Sequence, residues 1–177
     1  MDWLDIKEFI KDTFKYIILI VVVLLIAIYV VGLQQVIGPS MEPTLKNGDI
    51  IILNKIKYKF TSIKRKDIVS LYDEESKYLI KRIIGLPGEY IEYIDNNLYV
   101  DGAIVGEIYL ENNKTQDFKL TDLGYNKIPE DMYLVLGDNR GNSLDSRDPK
   151  LNLIHKKNIL GKVSFRIWPL NKISKLK

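Results

Sequence analysis

Four short segments carry the side chains that could do chemistry. Ser40 lies in GPSMEPTL between Pro39 and Pro43. Pro39 fixes its own φ and pushes Gly38 toward an extended or turn geometry, so Ser40 is displayed on a stiff corner. A serine hydroxyl attacks only when a base stands within hydrogen-bond reach; without one, this segment is simply a proline turn. The single histidine, His155, sits among lysines in LNLIHKKNIL, with no acidic residue suited to fixing its tautomer. That context fits an exposed or capping histidine better than a Ser-His-Asp triad.

Lys81 is the other candidate base, in YLIKRIIGLPGE. If residues 78–84 form a strand, Lys81 shares a face with Leu79 and Ile83, and Arg82 shares the other with Ile80 and Ile84. Two consecutive cations among branched aliphatics are costly unless one is neutral and the other paired. Desolvation lowers a lysine pKa and leaves an amine able to act as a general base. The competing possibility is an edge strand with both cations reaching water. The fourth segment is GDNRGNSLDSRDP, residues 137–149. It reads either as a solvated loop or as a rigid network of Asp138, Arg140, Asp145 and Arg147, with Ser143 free to hydrogen-bond the lysine. A calcium loop fails, because Arg140 occupies a ligand position of that template.

These segments must be positioned by the rest of the chain. Its 177 residues suffice for one ordinary domain, and the net charge of +3 is too small and too spread to indicate nucleic acid. There is no cysteine, which removes thiol chemistry and disulfides, and one histidine rules out a multi-histidine metal centre. From Ile17 to Leu33 the sequence IILIVVVLLIAIYVVGL carries no charge. With Tyr16 it would span roughly 27 Å as a helix, close to the hydrocarbon thickness of a bilayer. A cleaved signal peptide would have a shorter apolar run and a small-x-small site, so a retained anchor is expected. Lys7, Lys11 and Lys15 precede the run and only Lys46 follows closely, which places the N-terminus inside. The expected organisation is a short cytoplasmic N-terminus (1–15), a transmembrane helix (16–34) and an extracytoplasmic β-rich domain (35–177).

That domain is expected because GDIIILNKI, KDIVSLYD, KYLIKRII, EYIEYI, NLYVDG, DMYLVLG and KVSFRIW are short runs rich in Ile, Val, Leu and Tyr. Turn formers such as LPG, DNN and DG separate them. No long helical periodicity follows the anchor.

Taken in order, GPSMEPTL followed by GDII, then KRIIGLPGE, then GDNRGNSLDSRD resemble the successive signature segments of type I signal peptidases, with GKVSFRIWPL closing the match. The resemblance covers nearly the whole chain. It implies a membrane-bound serine endopeptidase that removes signal peptides from exported preproteins, of the short, single-anchor Gram-positive kind. The implied fold is all-β and shared with self-cleaving SOS repressors, on one N-terminal membrane helix. Ser40 matches the nucleophile and Lys81 the general base of a Ser-Lys dyad. Ser143 matches a serine that orients the lysine, Asp145 and Arg147 a buried supporting pair, and Asp138 and Arg140 part of the same support. No metal or cofactor is implied. Substrates would carry small residues at −1 and −3, in pockets for which Val36, Met41, Leu79 and Ile80 are the candidate walls. Gly38 departs from relatives that place a serine there for the oxyanion, leaving the Ser40 N–H and a second donor still to be named. Two other readings stay open: a self-processing relative of the fold, and an anchored β-domain that only binds partners. Membrane lipid is an expected partner; oligomeric state is not legible.

Overall fold

The computed structural model describes residues 3–73, 77–111 and 113–176. It begins with α1 (Trp3–Tyr29), whose stretch Ile6–Tyr29 contains an 18-residue window of mean hydropathy 2.2 with no buried residue, and is long and apolar enough to cross a membrane. The helix stops earlier than the apolar run does. Residues 31–34, expected within the span, belong instead to strand β1 (Val31–Gln35), which pairs antiparallel with β2 (Ile50–Asn54) in the register Val31↔Asn54 to Gln35↔Ile50. Apolarity alone does not separate helix from strand in a short run. Here a β-branched, Gly-containing segment finds a strand partner. At the junction Lys55 Nζ donates to the Ile28 carbonyl at 3.0 Å, satisfying an acceptor that the helix end leaves open.

After the one-turn α2 (Lys57–Phe60), the chain forms β3 (Ile68–Tyr72), β4 (Tyr78–Gly85), β5 (Ile91–Ile94), β6 (Asn97–Val100), β7 (Ala103–Val105) and β8 (Phe118–Lys119). Then follow β9 (Met132–Leu136), β10 (Ile154–His155), β11 (Ile159–Trp168) and β12 (Ser174–Lys175). The larger sheet runs β1-β2-β11-β3-β4-β9-β10, with β12 on β11; the smaller runs β7-β6-β5-β8. The expected β domain is therefore present, with each of the seven sequence segments forming a strand.

Three buried clusters hold it together. One joins the two sheets, with Ile84, Leu134 and Leu136 against Ile91, Tyr93, Leu98 and Phe118. A second seats the Ser40 segment, packing Val36, Met41 and Leu45 on Ile51, Leu53, Ile68 and Ile80. Met41 and Leu45 are sealed from solvent, and burial of such side chains stabilises by about 1.5–3 kcal/mol each. The third gathers Val69, Leu71, Ile83, Tyr133 and Val135, with Leu79 at its border. β4 is central, hydrogen-bonded to β3 on one side and β9 on the other. Lys81 and Arg82 therefore have no edge from which to reach water.

Candidate active site

Ser40 is held from both sides of its turn. Gly38 has φ of +84°, a left-handed conformation that a side chain strains, and its N–H donates to Asn47 Oδ1 at 2.9 Å. The glycine at this position thus satisfies the turn rather than supplying a hydroxyl. Ahead of it, the Val36 N–H donates to the Asp49 carbonyl and the Gly48 N–H to the Val36 carbonyl, closing the loop onto the start of β2. Behind it, the Asn139 N–H donates to the Ser40 carbonyl at 3.0 Å and Asn139 Nδ2 to the Pro39 carbonyl at 3.2 Å. The Ser40 N–H has no acceptor among the described residues.

Lys81 reaches this serine from β4. Its Nζ donates to Ser40 Oγ at 2.9 Å, and the residue is 2% exposed. Burial pushes its pKa down to about 8, while the carboxylates of Asp145 and Asp138 pull the other way. At pH 7 roughly a tenth of such a lysine is uncharged and able to accept the hydroxyl proton. The neighbouring cation meets the other half of the expectation. Arg82 is 1% exposed and forks onto the wholly buried Asp138, Nε to Oδ1 at 2.8 Å and Nη2 to Oδ2 at 2.6 Å. Its guanidinium also lies 3.8 Å from the centre of the Tyr109 ring and donates to the Lys66 carbonyl. One of the two adjacent cations is pushed toward neutrality and the other is fully paired.

The loop after β9 supplies the frame. Arg147 clasps Asp145, Nε to Oδ1 and Nη2 to Oδ2, both at 2.9 Å, and donates from Nη2 to the Arg140 carbonyl at 2.7 Å. Asp145 also accepts the Gly137 N–H at 3.1 Å, which fixes the point where β9 gives way to the loop. The pairing expected within one segment is therefore formed for Asp145 and Arg147. Asp138 and Arg140 go elsewhere. Asp138 takes Arg82 and the Thr44 hydroxyl, the latter at 2.5 Å. Arg140 takes Glu107, Nη2 to Oε1 at 2.6 Å, together with the Thr115 hydroxyl at 2.6 Å and the Tyr93 hydroxyl at 3.0 Å. Arg140 thus ties the loop to the smaller sheet, while Asp138 ties it to β4 and the Ser40 segment.

Ser143 is brought to the site without the bond expected of it. Its Oγ is buried and has no hydrogen-bond partner among the described residues, so it does not engage Lys81 in this structure. It stands instead against Gly137. A Cβ built on Gly137 would lie 2.2 Å from Ser143 Oγ and 2.4 Å from the Ser40 carbonyl oxygen. Only the missing side chain lets the two serine segments meet there. The four pocket candidates separate: Val36, Met41 and Ile80 are buried in the cluster beneath Ser40, whereas Leu79 borders a different cluster. His155 is far from this chemistry in role, since its Nδ1 accepts the Lys157 N–H at a turn.

Gly137, Asn139, Thr44 and Glu107 were not singled out from the sequence. Gly137 and Asn139 lie inside the quoted GDNRGNSLDSRDP, and Thr44 inside GPSMEPTL, but their roles depend on which backbones meet. Glu107 carries no local signal at all. It is recognisable only as the acceptor shared by Arg140, Tyr93 and Tyr109.

Comparison with known proteins identifies the family of the whole chain. The family model described as signal peptidase, peptidase S26 matches residues 6–168. Signal peptidase I P of Bacillus subtilis subsp. natto is 41% identical over 174 residues, covering 94% of each chain. Signal peptidase IB of Staphylococcus aureus (strain Mu50) is 35% identical, covering 93% of this chain and 92% of that one. The crystal structure of a signal peptidase I from Enterococcus faecalis V583 superposes with a TM-score of 0.54 at 36% identity, covering 59% of this chain and 98% of the other. A signature-bearing serine beside a buried lysine, on a β fold with an apolar N-terminal helix, is thus joined by similarity along nearly its whole length, and the chain belongs to the signal peptidase family of serine peptidases, peptidase S26.

Proposed function

We propose that this protein removes signal peptides from exported preproteins by Ser-Lys dyad chemistry at the outer face of a membrane. The observation that carries the reading is the 2.9 Å approach of Lys81 Nζ to Ser40 Oγ, with the lysine buried and its pKa lowered to about 8. Neutral Lys81 takes the hydroxyl proton as Ser40 Oγ attacks the scissile carbonyl, forming the tetrahedral intermediate. The ammonium then returns that proton to the leaving amine, giving the acyl-enzyme. Lys81, neutral again, takes a proton from the water that attacks the ester, and Ser40 is regenerated. The unclaimed Ser40 N–H is available to the developing oxyanion.

The remaining residues position this pair. Asp145 and Arg147 hold the loop that carries Ser143, and Asp138 and Arg82 lock that loop to the strand bearing Lys81. Ser143 limits the freedom of the amine once substrate is bound. Val36, Met41 and Ile80 form the floor of shallow pockets for the small residues at −1 and −3, and Leu79, which packs on a different cluster, lies outside them.

The uncharged part of α1, from Tyr16 to its end at Tyr29, enters the bilayer, with residues 1–15 in the cytoplasm and the β domain outside. A row of apolar side chains beyond the helix supports contact with lipid: exposed Leu33 pairs across to Ile52, and Ile52 to exposed Phe165, with exposed Trp168 opposite Ile50 in the next row. Directly paired residues share one face of a sheet. Ser40 follows Leu33 by seven residues, at most ~25 Å of chain, so the nucleophile stays near the surface from which a signal peptide emerges. The test is incubation of the purified protein with a preprotein carrying an A-x-A site. Cleavage at that site, abolished by Ser40→Ala and by Lys81→Ala, is expected; full cleavage by Lys81→Ala would refute the dyad.

A further inference from the structure

A polar cavity of about 290 Å³ opens against the segment that follows Ser40, with no β1 residue in its lining. Glu42, Lys46, Glu111, Asn113 and Asn139 line it. Its inner wall is the Ser40 segment itself. Asn139 donates to the Ser40 and Pro39 carbonyls, and Asn113 Nδ2 donates to the Asp138 carbonyl at 3.2 Å and the Glu42 carbonyl at 3.4 Å. The two amides therefore fix the distance between the cavity and the attacking hydroxyl.

A substrate bound for attack by Ser40 must leave the site in two directions. Its apolar, N-terminal part stays with the membrane and approaches along α1, β1 and the exposed Leu33 and Ile37. The part that begins at the scissile nitrogen must leave by the other side, where no β1 residue contributes and the wall is charged. Glu42 is two residues from Ser40. The first two or three residues of an extended chain, at roughly 3.3 Å each, are enough to enter this space. Two carboxylates there face one ammonium, a balance of one negative charge at neutral pH. Resting on the signal peptidase reading above, we infer that this cavity receives the first residues of the mature chain. Glu42 and Glu111 make it favour basic over acidic side chains at those positions, and Lys46 opposes them.

The charges are at or near the surface, so the preference is modest and salt-sensitive. The experiment uses the full-length protein in detergent micelles and a set of preproteins identical except for Lys, Gln or Glu at the first or second mature residue. The ratio of kcat/KM for the Lys and Glu substrates is expected to be about 2–5 at low salt, in line with exposed ion pairs, and to shrink toward one in 0.5 M salt, where the screening length is roughly half its physiological value. Glu42→Gln combined with Glu111→Gln should bring the ratio to one or below. Lys46→Glu, at an exposed position, should raise it. Equal rates for all three substrates, or a ratio unmoved by either variant, would overturn the inference while leaving the peptidase reading intact. Absence of cleavage of every substrate would overturn both.

Discussion

Arg82 and Asp138, 56 residues apart in sequence, form a two-pronged ion pair with both side chains sealed from solvent. The pair joins the strand of the lysine to the loop of Ser143. Removing one partner leaves the other charge buried and alone. Arg82→Ala and Asp138→Ala are each expected to cost about 3–5 kcal/mol. The double variant should cost clearly less than the sum, since each single change destroys the same interaction. Thermal or denaturant unfolding in detergent measures both, and additive losses would mean the pair is not coupled.

Gly137 makes a different kind of claim. A methyl group there would press on Ser143 and on the Ser40 carbonyl at once, and the backbone carbonyl has nowhere to yield. Gly137→Ala should displace the nucleophile and lower kcat/KM by about 100-fold or more, the scale of a misplacement near 1 Å. Ser143→Ala removes a hydroxyl that has no partner in the resting structure. Stability should therefore change little, whereas cleavage should slow if the hydroxyl restrains the amine in the substrate complex. Labelling by a serine-directed covalent inhibitor should remain at Ser40. A label on Ser143 would reverse the roles.

Burying Lys81 has a stability consequence whose sign can be worked out. Its pKa is near 10.5 unfolded and about 8 folded. Between those values the unfolded chain binds the extra proton, so stability rises with pH through the window from about 8 to 10.5. Below about 8 the buried charge costs roughly 3 kcal/mol, which vanishes once both states are neutral. Lys81→Met should thus be inactive yet more stable at pH 7, with the advantage fading above pH 10. A variant no more stable than the parent at pH 7 would show that the lysine is not held at a cost.

Much of this arrangement was legible in the sequence. Short runs rich in Ile, Val, Leu and Tyr located seven strands, and Lys81-Arg82 within one of them left two options, one neutral and one paired cation or an edge strand with both in water; the central place of β4 decides between them. The partner of that arginine was not legible. Asp138 and Arg140 lie two residues apart, which suggests that they pair, but the fold carries Arg82 to the first and Glu107 to the second. The end of α1 is not legible, because Val31, Gly32 and Leu33 continue the apolar run and become a strand only by pairing with IIILN. Strands of two or three residues, such as β7, β8, β10 and β12, are too short to show a period. The proximity of Ser143 and Ser40 at Gly137 is a meeting of two loops, and no spacing encodes it.

The lysine bias and the apolar helix α1 carry an expectation about topology. Protease added to intact spheroplasts should digest the β domain or release it as a soluble fragment. Protection of residues 35–177 until the membrane is broken would mean the opposite orientation.

The dependence of kcat/KM on pH tests most directly whether Lys81 serves as a neutral base. With a peptide substrate that does not titrate between pH 6 and 11, the ascending limb should have its midpoint near 8, where burial sets the lysine pKa. Lys81→Arg should remain inactive across the range, because a guanidinium keeps its proton there. An ascending limb centred near 10 or above would contradict the account, since it would show a lysine that titrates as if exposed.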